Sequence, residues 1–417
     1  MKNEIKPFDM QKKPIKERWF LTPLKWALAL PVTFMRGLKV NRVQMEGLKP
    51  PYLLLCTHHG FIDFKVQTRV LFPHTATYVV AVDGFIGREW LLRNVGGIGK
   101  RKFTPQDRVL FKNIKYSLDE LKVITTIYAE SAYSIAGTTS RLPDSLFKVI
   151  KVLNYPVVVL NMHGNFLTQP NYSMPKPRKI KLEADLTQVI TKKDLETITF
   201  DEIKERVTKA FHYDEWQYQL DHQIQIKDSN RAKSLNKILY TCETCLKEHE
   251  MIGEGTKITC QSCGTTHELD HFGQLHKING ETKFNHVPNW YEMQRNIVHQ
   301  NLLSGNYFFE SDVYIDSLRN AKGFRHVGIG KLTHDINGIH LTFNSMDETI
   351  DITRETKSLY TIHIEFDYKK TDKIKSDGIV ISTESDTFYC YPIDKRDVVV
   401  KFRFAVEEAY QITMSKA

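Results

Sequence analysis

The chain has 417 residues, 41% of them hydrophobic, enough to bury a sizeable core and to build two to four domains at roughly 100 to 200 residues each. No uninterrupted apolar run reaches the about 18 residues of a membrane-spanning helix, and the polar residues 1–18 lack the apolar stretch and cleavage site of a secretory leader. Both observations argue for a multidomain soluble or peripheral protein of the cytoplasm. The formal net charge is +9, and residues 1–50 hold eleven basic against four acidic residues, a surplus that attracts nucleic acid or anionic membrane headgroups alike.

Within that basic stretch, residues 19–38 mix Trp19, Phe20, Trp26, Phe34 and Met35 with flanking Lys16, Arg18, Arg36 and Lys39. The pattern suits a segment lying in the headgroup layer, or a helix packed on the domain behind it. Further on, strand-like runs at 52–56, 77–82, 123–128 and 156–161 are spaced by helical stretches such as 107–121. That alternation predicts a largely parallel sheet covered on both faces, followed by a helix over 201–212. A polar linker is expected at 217–237, the cysteine pairs at 238–275 and a helical connector at 276–322. From 323 onward, β-branched alternating runs are broken by Gly338, Asn344 and a turn at Lys375, Ser376, Asp377 and Gly378, and the chain closes in a helix over 398–412. The expected class is therefore α/β over 51–216, with a mixed sheet flanked by helices. A zinc ribbon and a small β-rich domain of the pleckstrin-homology kind follow.

Directly after the buried run Leu53 to Cys56 come Thr57, His58, His59, Gly60, Phe61, Ile62 and Asp63. The mouth of a strand is where α/β proteins collect their chemistry. Histidine takes a proton from a hydroxyl near neutral pH, and a carboxylate on its other nitrogen fixes the tautomer and stabilises the imidazolium that forms. A histidine with an acid five positions later is equally compatible with a satisfied structural pair. The chain has no GxSxG elbow, which favours direct transfer over a serine acyl-enzyme.

From residue 52 to about 212 the sequence resembles the lysophospholipid, or glycerolipid, acyltransferase family, whose first block has the form NHxSxxD. His58 and Asp63 hold the spacing of that block, Thr57 and Gly60 stand for its Asn and Ser, and His59 falls on a variable position. Gly96, Gly97, Ile98, Gly99, Lys100, Arg101 and Lys102 are similar to the second block, with Lys102 at the place of its phosphate-binding arginine and Arg101 beside it. The third block, usually FPEGTRS, reads Tyr128, Ala129, Glu130, Ser131, Ala132, Tyr133, Ser134, so only Glu130 and Ser134 match. Pro156 to Leu160, followed by Asn161, His163 and Gly164, resembles the fourth.

The resemblance implies transfer of a fatty acyl group from a thioester of acyl carrier protein or coenzyme A to the hydroxyl of a lysolipid, without a dissociable organic cofactor. His58 is then the general base and Asp63 its orienting acid, with Lys100, Arg101, Lys102, Glu130 and Arg141 setting the acceptor. Tyr133 in place of an arginine keeps open an acceptor other than lysophosphatidic acid, such as an amino-acid-headed lysolipid. An inactive lipid- or nucleic-acid-responsive scaffold is the rival reading. The implied place of work is the inner face of the membrane, on anionic lipid.

Cys242 and Cys245, then Cys260 and Cys263, form two CxxC pairs fourteen residues apart, and Cys56 and Cys390 stand alone. Four thiolates on two tight turns close a tetrahedral zinc shell with no open position, which makes such a zinc structural; redox dithiols are the alternative. Gly264 permits the left-handed turn after the second pair. Ribbons often serve nucleic acid, but residues 238–275 are not notably cationic, which argues against it here. The ribbon and strand-rich C-terminus together resemble an extension carried by some bacterial members of the family.

Overall fold

The structure, a computed structural model, describes residues 6–104, 107–345, 348–369, 375–393 and 395–416. The first five residues of the basic N-terminal stretch lie outside them. Two compact units are present. One comprises Met1–Arg101, Gln106–Glu215 and Asn320–Gly323, the other Lys102–Pro105, Trp216–Arg319 and Phe324–Ala417.

The first unit is built on seven strands: β1 (Lys39–Val43), β2 (Leu53–Cys56), β3 (Ala76–Ala81), β4 (Gly97–Lys100), β5 (Ile124–Tyr128), β6 (Val157–His163) and β7 (Glu183–Ile190). Their order is β1-β7-β6-β2-β5-β3-β4. Strands β2 to β6 run parallel, while β7 is antiparallel to β6 and carries β1 parallel to itself. A parallel centre needs cover on both faces, and its strands accordingly read as near-continuous apolar runs. Leu53, Leu55, Val157 and Val159 face helices Arg108–Asp119, Asp144–Leu153 and Phe200–Ala210. Their neighbours Leu54, Cys56, Val158 and Leu160 face helix Ile62–Leu71. That period of two is the pleat itself.

Helix Thr22–Met35 buries Lys25, Ala29 and Thr33 along one side, packing on helix Ile62–Leu71. Lys25 is paired there with Glu17. The opposite side leaves Leu24, Leu28, Phe34 and Met35 exposed, and Trp19 and Phe20 just before the helix are exposed too. No helix of the described residues is long and apolar enough to cross a membrane.

In the second unit, β8 (Met251–Glu254), β9 (Lys257–Cys260), β10 (Thr266–Leu269) and β11 (Leu275–Lys277) form a small antiparallel sheet. A larger sheet follows from β12 (Phe309–Ser317), β13 (Arg325–Asp335), β14 (Gly338–Ser345), β15 (Glu348–Glu355), β16 (His363–Lys369), β17 (Lys375–Ser382) and β18 (Thr387–Pro392). It is antiparallel throughout, in the order β15-β14-β13-β12-β18-β17-β16. Helices Val287–Leu303 and Val399–Ser415 pack against each other.

Three expectations need correction. Residues 276–322 are helical only over Val287–Leu303, and β12 within them lies at the middle of the larger sheet. The residues read as a turn at 375–378 open strand β17. Residues 217–237 are no bare linker either: the amides of Ala232 and Ser234 donate to the carbonyls of Gly255 and Gly253, and Asn236 Oδ1 accepts from Gly253 N at 3.0 Å. Polar composition misled here because these polar groups are spent on the ribbon's backbone.

Because Leu54 is fully buried under helix Ile62–Leu71, Leu54→Ala is expected to cost about 2–5 kcal/mol. A urea unfolding midpoint for the first unit equal to that of the parent would contradict this placement.

Candidate active site and cysteine cluster

Strand β2 ends at Cys56, and the chain turns through residues 57–61 into helix Ile62–Leu71. Asp63 thereby lies in the first helical turn, where the positive end of the helix dipole favours a carboxylate. His58 Nδ1 stands 2.9 Å from Asp63 Oδ2. With that nitrogen donating to the carboxylate, the neutral ring carries its free lone pair on Nε2. Two aromatic rings pack against the imidazole, Tyr128 at 4.2 Å and Tyr133 at 4.3 Å between centroids. The side chain still keeps 23% of its surface exposed. His58 is therefore oriented, packed and open to a reactant.

Asp63 is 1% exposed. Its Oδ2 also accepts the amides of His59 at 2.6 Å and Gly60 at 3.0 Å, and its Oδ1 accepts Asn165 Nδ2 at 2.8 Å. Burial alone would raise this carboxyl, but the His58 hydrogen bond, the imidazoles of His58 and His59 and the Gly60 amide hold it below its ordinary value. An ionised Asp63 is what an orienting acid requires.

Glu130, expected to help set the acceptor, is bonded to groups of the protein itself. It is buried, and its carboxylate accepts His58 N at 3.1 Å, Ser140 N at 2.7 Å and the Tyr213 hydroxyl at 3.0 Å. It supports the backbone of the His58 turn through the first of these bonds. Burial pushes it up to about 7 against the pull of those donors.

The basic residues also separate. Lys100 Nζ donates to Ser131 Oγ at 3.3 Å, on the loop that carries Glu130 and Tyr133; burial lowers its pKa. Arg101 is buried, and Arg141 is exposed. Lys102 belongs with the second unit, where its Nζ lies 2.8 Å from Glu365 Oε1 and 2.9 Å from His363 Nε2. Its ammonium is paired with the Glu365 carboxylate.

Of the neighbouring histidines, His59 is fully buried edge-on to the Tyr213 ring, and burial lowers its pKa. His163 meets a carboxylate at each ring nitrogen: Nδ1 lies 3.2 Å from Glu215 Oε1 and Nε2 3.4 Å from Asp185 Oδ2. Sequence reasoning missed Asn165, Tyr213 and the packing of Tyr128 and Tyr133 on the His58 ring. Only Asn165 had a signal, since it directly follows His163 and Gly164 after β6.

In the second unit the sulfurs of Cys242, Cys245, Cys260 and Cys263 all lie within 4.8 Å of one another. Cys242 and Cys263 are 3.6 Å apart and Cys245 and Cys260 3.7 Å. Bonds of about 2.3 Å to a tetrahedral zinc imply sulfur pairs about 3.8 Å apart, so the cluster is compatible with structural zinc and far too open for disulfides. Gly264 adopts φ +73°, the left-handed turn expected after the second pair.

Comparison with known proteins yields little. No family model matches the chain, and no curated protein does. Among solved structures, the chain is similar to the 1-acyl-sn-glycerophosphate (LPA) acyltransferase PlsC from Thermotoga maritima, at 12% identity and a TM-score of 0.36, over 46% of this chain and 77% of that one. A TM-score so low does not carry that protein's activity over to this chain.

The buried carboxyl of Glu130 supplies a pH test. Its folded pKa of about 7 stands above the ordinary 4.5, so the folded state keeps a proton that the unfolded state has released. The stability this group contributes is therefore present below pH 4.5 and declines as pH rises toward 7. Thermal melting of the parent and Glu130→Gln should show the cost of the substitution greatest near pH 4.5 and smaller at 7; a cost that grows with pH would mean Glu130 is buried ionised.

Proposed function

We propose that the chain is an O-acyltransferase that moves a fatty acyl group from a thioester of acyl carrier protein or coenzyme A to the hydroxyl of a lysolipid. The observation that carries this reading is the His58–Asp63 pair, bonded through Nδ1 at the mouth of a parallel sheet with the ring still open to a reactant. In the step, His58 Nε2 takes the proton of the acceptor hydroxyl as its oxygen attacks the thioester carbonyl. The C–S bond then breaks, and the departing sulfur takes the proton from the imidazolium, regenerating the neutral ring. Asp63 stays ionised throughout and offsets the transient positive charge.

A membrane surface as the place of work is supported by the apolar face of Trp19, Phe20, Leu24, Leu28, Phe34 and Met35 within a stretch of net positive charge. An apolar face with basic flanks suits the headgroup region of anionic lipid, which would place the protein on the cytoplasmic side of the membrane. Within the same activity, an acceptor without a phosphomonoester is favoured by Lys102, turned to Glu365, and by the neutral Tyr133 ring against His58. For the second unit we propose one structural zinc held by Cys242, Cys245, Cys260 and Cys263, bracing the ribbon and taking no part in acyl transfer.

The deciding measurement is acyl transfer by the full chain with vesicles, labelled thioesters of both donors and lysolipids with and without a phosphomonoester. His58→Ala is expected to lower the rate by about 10²–10⁴-fold, and a mutant as active as the parent would refute the mechanism. For the ribbon, atomic emission should find one zinc per chain, lost in Cys260→Ser together with thermal stability of the second unit. A zinc-free protein with an intact ribbon would count against the metal.

A further inference from the structure

Asp63 can hold His58 only as firmly as it is itself held. Its Oδ2 is tied to one short turn, through His58 Nδ1 and the amides of His59 and Gly60. Rotation of the carboxylate about that anchor is resisted from elsewhere, by Asn165 Nδ2 on Oδ1 at 2.8 Å. Asn165 is 1% exposed and reaches Asp63 from the far end of β6. The turn before it leaves no slack, because Gly164 has φ +81° and a Cβ there would stand 2.6 Å from the Lys181 carbonyl oxygen.

That turn is clamped in charge as well as in shape. Gly164 N donates to Glu215 Oε2 at 2.7 Å, while Oε1 of the same buried carboxylate faces His163 Nδ1. Burial would lower His163, but the bonds to Asp185 and Glu215 push it up to about 9, so near neutral pH the clamp is an imidazolium between two carboxylates. Glu215 N also donates to Gly137 O at 2.8 Å, on the loop after Tyr133.

We propose that Asn165 is a positioning residue for the His58–Asp63 pair: its amide sets the rotation of the Asp63 carboxylate so that Oδ2 meets His58 Nδ1, and the His163–Glu215 pair holds the turn that presents it. The kinetic consequence rests on the acyl-transfer reading; the placement does not. The titratable groups around the pair include Cys56, His59, Tyr128, Glu130, Tyr133, His163 and Glu215. Removing the amide leaves more negative charge on Asp63 for the His58 ring, and Asn165→Asp sets a second carboxylate against it. Both changes favour the protonated ring.

The test is the titration of the His58 ring in the full chain, followed by NMR with isotope-labelled histidine, in the parent, Asn165→Ala and Asn165→Asp. The expected midpoint rises in both variants, by about one pH unit or more in Asn165→Asp. The acid limb of the kcat/KM profile should move with it, and kcat should fall about 10- to 100-fold with KM for the acceptor little changed. An unmoved midpoint in folded variants overturns the proposal. Should the variants not fold, the parent decides, since its Asn165 side-chain amide signals must shift with the midpoint of His58, and signals indifferent to it overturn the proposal equally. Absence of acyl transfer with every acceptor would sink the functional reading, while the ring titration would still decide the role of Asn165 by itself.

Discussion

A carboxylate stripped of water inside a protein costs several kcal/mol unless donors replace the lost hydration, and Asp63, at 1% exposure, is under that constraint in the first unit. Four donors answer it. They come from the His58 ring, two consecutive turn amides and a side chain at the end of β6. Satisfying one carboxylate therefore locks together the end of β2, the start of helix Ile62–Leu71 and the turn after β6. The sheet order makes this possible, because β2 and β6 are parallel neighbours that end on the same side.

Glu130 shows what happens when similar burial meets a different partner set. Its donors are two backbone amides, a tyrosine hydroxyl and the Ser140 side chain, all of them neutral, and burial prevails, pushing the carboxyl up to about 7. For Asp63 the ring of His58 reverses the balance. Two buried acids contacting the same turn are thus driven in opposite directions, one held ionised beside the imidazole and the other inclined to carry a proton under the backbone. Environments that separate the pKa values of neighbouring acids are a usual way of giving them separate roles.

Legibility from sequence follows the range over which each interaction acts. The apolar runs of β2, β5 and β6, the spacing of His58 and Asp63 and the two CxxC pairs are local patterns, and each is legible at its place to within a few residues. Asn165 meets Asp63 across 102 positions, and Lys102 meets Glu365 across 263; no local pattern announces such a pairing. Strand β12 escapes for a related reason. Its inward positions are apolar at Val313 and Ile315, but Ser311, Asp316 and Ser317 are buried beside them, so the alternation is blurred where hydrogen bonding replaces apolar cover.

The altered third block now has a physical reading. Glu130 and Ser134, its two matching residues, both serve the loop itself: Glu130 accepts the amides of His58 and Ser140, and Ser134 donates its own amide to His58 O at 2.7 Å while its hydroxyl oxygen accepts from Gly137 N at 3.1 Å. Ser131 keeps a left-handed backbone, φ +57°, where the motif has glycine, at a conformational cost of about 1–2 kcal/mol. These supports, and the strained backbone at Ser131, fix the shape of the loop that brings its remaining side chains to His58. Tyr133 is one of these, a neutral ring against the imidazole. Tyr133 is only half-buried while Ala132 before it is buried, so a change of side chain at Tyr133 would alter the surface beside the His58 ring more readily than the bonds that hold His58 in place.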